Sequence, residues 1–121
     1  MEPLRILQTA TVLLAIAALG GLAMAGIRLG GKPHPPTWLA MLHGFLAAAA
    51  LTLLIYGWAT VGLPGLAMAG TALFVLAAAG GAALNLGYHW QRLPLPLGLM
   101  IGHAVLAVAG YVLLLVATLR G

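Results

Sequence analysis

The sequence predicts an all-α integral membrane protein, a four-transmembrane-helix bundle built from two tandem helical hairpins. Three observations predict it. Of 121 residues only 5% are charged, five of them basic and one acidic, against about a quarter in an ordinary soluble domain. Four apolar stretches are each long enough to cross a hydrocarbon core of about 30 Å, which takes roughly 20 helical residues. The second half of the chain also matches the first at an offset of sixty residues, so that His43 falls on His103.

The first stretch runs from about Ile6 to Ile27. A cleaved secretory signal is a competing reading here, because Ala23-Met24-Ala25 resembles a cleavage site. The apolar run exceeds the usual 7–15 residues, however, and little positive charge precedes it. Removing it would also strip the second hairpin of its counterpart. Gly30-Gly31-Lys32-Pro33-His34-Pro35-Pro36 then breaks the chain before a second span from about Trp38 to Thr60. Gly62-Leu63-Pro64-Gly65 is a tight link to the third, Gly65 to Gly87. Gln91-Arg92-Leu93-Pro94-Leu95-Pro96 precedes the fourth, Leu97 to Leu119. Pro36 and Pro96 suit the start of a helix, where a missing N–H costs little. Trp38, Tyr88 and Trp90 mark one membrane interface, and Tyr56 and Trp58 the other.

The chain is expected to form one transmembrane domain over 1–121, with one repeat over about 1–60 and the other over about 61–121. Gly20-Gly21 falls on Gly80-Gly81, Pro36 on Pro96, Thr11 on Thr71 and Lys32 on Arg92, without a gap. Ala47 also falls on Ala107, a match that this composition would produce by chance. Each copy crosses twice, so the copies share an orientation and are related by an axis along the membrane normal.

Alternate crossing puts the loops around His34 and His89 on one side. His43 and His103 then lie roughly 8–9 Å below that surface at 1.5 Å per residue. An ionisable side chain at membrane depth is by default a functional candidate. Gly20, Gly21, Gly80 and Gly81 share that depth, and Ala47 and Ala107 follow each histidine by one turn. Facing imidazoles ringed by small residues leave room for something flat and wide. Close packing through small residues explains the same glycines and alanines. Imidazole on each face of an iron is a standard haem ligation, and bundle cores house haem. Arg28, Lys32 and Arg92 stand at the nearer surface, where they suit carboxylates or anchor lipid headgroups.

Several chemistries are excluded within the chain. There is no Cys, so there are no disulfides, thiolate ligands or thiol nucleophiles. Glu2 is the only carboxylate, which excludes carboxylate pairs and a Ser-His-Asp triad. The formal charge of +4 is scattered rather than clustered, which argues against nucleic acid as a partner.

With His43 and His103 in alternate helices and Gly-Gly in their companions, the chain resembles four-helix membrane b-type cytochromes, loosely of the cytochrome b561 kind. The resemblance covers the whole chain as an architecture. It implies one haem b with His43 and His103 as axial iron ligands, and membrane electron transfer with a quinone or redox-protein partner. Many such proteins hold two haems, but the half of this chain near Tyr56 and Tyr111 has no histidine. A single haem near one face cannot carry electrons across the bilayer alone, so an electron carrier or oxidoreductase subunit is expected rather than a stand-alone enzyme.

Two alternatives stay open. His34, His43, His89 and His103 could together bind or transport Cu, Ni or Zn, although the Met residues form no spaced cluster beside them. The chain could also be a cofactor-free structural or assembly subunit of a larger membrane complex, or a homo-oligomer. The expected location is the cytoplasmic (inner) membrane of a bacterium. Arg28, Lys32 and Arg92 against Arg5 and Arg120 place the histidine-side loops in the cytoplasm, an asymmetry that the free amino terminus partly offsets.

Overall fold

The computed structural model describes residues 1–121 and is entirely helical. Helix α1 spans Pro3–Leu29, α2 Thr37–Thr60, α3 Gly65–Leu84 and α4 Leu97–Arg120. A π-helical turn, Asn85–His89, continues α3. All four helices are long and apolar enough to cross a membrane, counting the π turn with α3.

Helix ends follow from backbone chemistry. Pro3 stands in the first turn of α1, and Pro36, Pro64 and Pro96 immediately precede α2, α3 and α4. Each needs no N–H donor at a place where the helix has none to use. The first helix is longer than the apolar run by a few residues at both ends, taking in Arg5 and Arg28. Gly62 closes the α2–α3 link at φ +79°, a conformation that glycine adopts without a Cβ clash.

The most extensive packing lies within hairpins, α1 against α2 and α3 against α4, with lighter contacts of α1 with α4 and α2 with α3. Leu14 and Phe74, Ala17 and Ala77, Ala50 and Gly110, and Leu54 and Leu114 are sixty residues apart, and all eight are buried. In the second hairpin the crossing is closest where Gly70 meets Gly110. A Cβ on Gly70 would lie 2.8 Å from the Gly110 carbonyl oxygen, and one on Gly110 would lie 3.1 Å from that of Gly70.

The largest apolar cluster lies in one half of the molecule. Ile6, Leu7, Ala10, Leu14, Ala50, Leu54, Leu63, Ala67, Phe74, Leu114 and Ala117 form one cluster at the end holding both termini and the α2–α3 link. Its polar atoms are paired: Thr11 and Thr118 hydroxyls are 3.1 Å apart, and the Tyr111 hydroxyl donates to the Thr11 carbonyl at 3.3 Å. Before Ala50 no residue of α2 is buried, and before Gly110 none of α4. Bulky apolar side chains such as Leu19, Leu22, Phe45, Val105, Val108 and Leu119 are exposed outside the bundle.

The two interhelix loops meet at the opposite end. The Leu95 amide donates to the Pro33 carbonyl at 3.0 Å, and Arg28 Nε donates to the Leu95 carbonyl at 3.0 Å. These bonds tie the two hairpins together where the apolar cluster is absent.

Candidate functional site

His43 and His103 come from the first halves of α2 and α4, away from the largest apolar cluster. His43 Nδ1 is 2.7 Å from the Ala17 carbonyl oxygen, and His103 Nδ1 is 2.6 Å from that of Ala77. A carbonyl can only accept, so each Nδ1 carries the hydrogen. A neutral ring then presents its lone pair on Nε2. Metal-binding histidines are oriented in this way, through a backbone acceptor on the nitrogen that does not bind the metal.

The glycine pairs explain how an imidazole reaches a carbonyl that is already inside a helix. Gly21 lies four residues after Ala17, and Gly81 four after Ala77, so each is the residue whose N–H that carbonyl takes in an α-helix. A Cβ on Gly21 would lie 3.1 Å from His43 Cε1, and one on Gly81 would lie 3.0 Å from His103 Cε1. Without those side chains a notch opens, and the ring lies in it as a second donor. Gly20 and Gly80 are looser: a Cβ on either would sit 3.7 Å from the histidine Cβ, an ordinary contact. The four glycines therefore seat the two imidazoles, each pair within its own hairpin.

The two rings meet edge to face, with centres 6.2 Å apart and planes inclined by 73°. A cofactor metal would be held here by the Nε2 atoms of His43 and His103. Edge-to-face aromatic pairs span centre separations of about 4.5–7 Å. What distinguishes the pair is the nitrogen chemistry, with both Nδ1 atoms committed to backbone and neither Nε2 hydrogen-bonded within the chain.

The other residues expected at the site are dispersed. Ala107 is half-buried and packs on the edge of the apolar cluster, and Ala47 is half-buried at the equivalent place. Arg28 is spent on the Leu95 carbonyl. Lys32 is exposed, and Arg92 lines a cleft with His34 and His89. His34 and His89 stack on each other with ring centres 5.3 Å apart. The four histidines thus form two pairs, and no three metal-ligating side chains of the His, Asp or Glu type converge anywhere.

Two features have almost no signal in the sequence. One is the π turn at Asn85–His89, which leaves the buried Asn85 Oδ1 without a hydrogen-bond partner. Its only trace in the sequence is that none of residues 85–89 matches its counterpart sixty residues earlier. The other is the His34–His89 stack, which depends on the loop-to-loop pairing and has no signature in spacing.

Haem b can be tested against these residues. It would be held by His43 and His103 through Nε2, and would supply one-electron chemistry there. The donor set fits. No protein-family model, curated protein or solved structure matches the chain.

Proposed function

We propose that this chain is an integral membrane electron-transfer protein that holds one b-type haem between His43 and His103 and exchanges electrons with a quinone or a redox-protein partner. The observation that carries the reading is the pair of backbone-anchored imidazoles with free Nε2 atoms and ring centres 6.2 Å apart. The exposed apolar exterior supports membrane insertion, since water would penalise that surface and lipid does not.

Haem iron supplies the one-electron chemistry, and the protein sets how it is held. The Ala17 and Ala77 carbonyls fix each ring's tautomer and raise the basicity of the ligating nitrogen through the shared hydrogen bond. Gly21 and Gly81 fix where each ring can lie. The apolar helices keep water from the ring layer, a setting that tunes potential through burial. The donor count separates this reading from a bare Cu, Ni or Zn site. Such an ion takes three or four protein ligands in a closed site, and only two imidazoles converge here.

Purification from membranes followed by a pyridine haemochrome assay tests the proposal. It predicts about one b-type haem per chain. A colourless protein, or bound zinc or copper in place of haem, refutes it.

A further inference from the structure

The end of the bundle that carries the two interhelix loops holds a second polar group that the histidine layer does not use. His34, Thr37, His89, Trp90 and Arg92 line a cleft of about 450 Å³ between those loops. Every polar side chain there can donate a hydrogen bond: a guanidinium, an indole N–H, a hydroxyl and two imidazoles. No carboxylate balances them, because Glu2 is the only one in the chain and lies at the other end.

The backbone adds donors of the same sense. Helix α2 starts at Thr37 without a side-chain cap, and its first backbone bonds are those of Leu39 and Ala40 to the Pro36 carbonyl. The Thr37 and Trp38 amides are left over at a helix N-terminus, where anions are stabilised. A separate observation points to a ligand. His89 is only 7% exposed, and neither of its ring nitrogens bonds within the chain. Neither is sealed in as an orphan either, since the ring opens onto the cleft. Arg92 is the one non-glycine residue with positive φ, at 57°. Such backbone costs of order 1–3 kcal/mol and persists where the surroundings impose it.

Four of the five cleft residues break the sixty-residue match, and Arg92 alone keeps it, opposite Lys32. His34 stands opposite Pro94, His89 opposite Leu29 and Thr37 opposite Leu97, whereas the His43–His103 layer is matched position by position.

We propose that this cleft binds a phosphate group, carried by the headgroup of an anionic phospholipid, with Arg92, His34 and His89 as its donors. Headgroup phosphate belongs at this depth, at the end of four apolar helices and beside the exposed indoles of Trp38 and Trp90. A divalent cation is the competing occupant, since two imidazoles at this spacing also suit one tetrahedral metal. It would sit against a permanent guanidinium charge with no carboxylate to offset the repulsion. The site does not depend on what His43 and His103 hold.

The test is native mass spectrometry of the full chain in detergent micelles, titrated separately with dioleoyl phosphatidylglycerol, dioleoyl phosphatidylcholine, inorganic phosphate and zinc. Phosphatidylglycerol is expected to bind saturably and phosphatidylcholine weakly. Arg92→Gln and His89→Gln should each weaken the anionic lipid by about tenfold, the loss of one charge-assisted hydrogen bond. Arg92→Lys should restore most of it, which separates a lost contact from a lost fold. Lys32→Gln, at an exposed cation outside the cleft, should change little. Equal weakening by Lys32→Gln would show diffuse attraction and overturn the site. Displacement of the lipid by inorganic phosphate at comparable concentration would overturn the lipid as its source. Zinc binding that needs His34 and His89, with no lipid effect of either, would overturn the anion assignment.

Discussion

His43 donates from Nδ1 to the carbonyl oxygen of Ala17 at 2.7 Å, reaching across the gap left by the missing side chain of Gly21. His103, Ala77 and Gly81 reproduce the arrangement sixty residues later, at 2.6 Å. Each hairpin therefore carries a complete histidine holder, and facing the two hairpins produces a pair. A duplicated two-helix unit can acquire a two-ligand site in this way without further change.

Filling either notch should displace its imidazole. Gly21→Ala and Gly81→Ala each put a methyl group about 3 Å from a ring carbon that is itself hydrogen-bonded to backbone through the neighbouring nitrogen. Overpacking of this kind costs about 1–3 kcal/mol. Haem occupancy should fall in both variants, and the redox midpoint of the remaining haem should shift. Gly20→Ala and Gly80→Ala meet only ordinary contacts and should keep full occupancy. Titration of apo-protein with hemin, followed by absorbance, checks all four. Equal loss at Gly20 and Gly21 would contradict the notch.

The closest helix crossing should be intolerant of a single methyl. Gly70→Ala directs a Cβ to 2.8 Å from the Gly110 carbonyl oxygen, a backbone atom that cannot swing aside. A loss of about 1–3 kcal/mol is expected. Gly44→Ala meets nothing within 4 Å and should be neutral, or stabilising by up to about 1 kcal/mol from helix propensity. Thermal unfolding in detergent, followed by circular dichroism, gives the order. Greater loss at Gly44 than at Gly70 would contradict the packing.

Arg92 should be replaceable by glycine at no cost to the fold. Its φ of 57° is strained for any side chain and free for glycine. Relief of that strain offsets the extra entropy glycine has when unfolded, so Arg92→Gly should stay within about 1 kcal/mol of the parent. Arg92→Val, β-branched at positive φ, should lose more. The same melting experiment decides, and a glycine variant less stable than the valine variant refutes the conformation.

Much of the frame was legible in the sequence because it rests on local rules. Prolines at 36, 64 and 96 mark helix starts, and the apolar spans set helix lengths to within a few residues. The match at sixty residues was legible because Gly-Gly, Pro and His keep one register without a gap. What the glycines do was not legible. Their role depends on the hairpin register, which sets Ala17, Gly21 and His43 against one another, and on a carbonyl that no sequence pattern marks. The π turn was hidden because it inserts no breaker: Asn85-Leu86-Gly87-Tyr88-His89 reads as the end of an ordinary helix. The cleft at the loops was hidden because the Leu95 bond to Pro33 joins segments about sixty residues apart, and that pairing brings His34 to His89.

The proposed function requires His43 and His103 to bind the same iron from opposite faces. Low-temperature electron paramagnetic resonance of the oxidised protein and its single variants tests this most directly. The parent should give a low-spin ferric signal of bis-imidazole type. His43→Ala and His103→Ala should each convert that signal to high spin or lose haem altogether, with similar effect because the two holders are equivalent. His34→Ala and His89→Ala should leave it unchanged. A parent without any haem signal, or a low-spin signal that survives both the His43 and the His103 substitutions, would contradict the account.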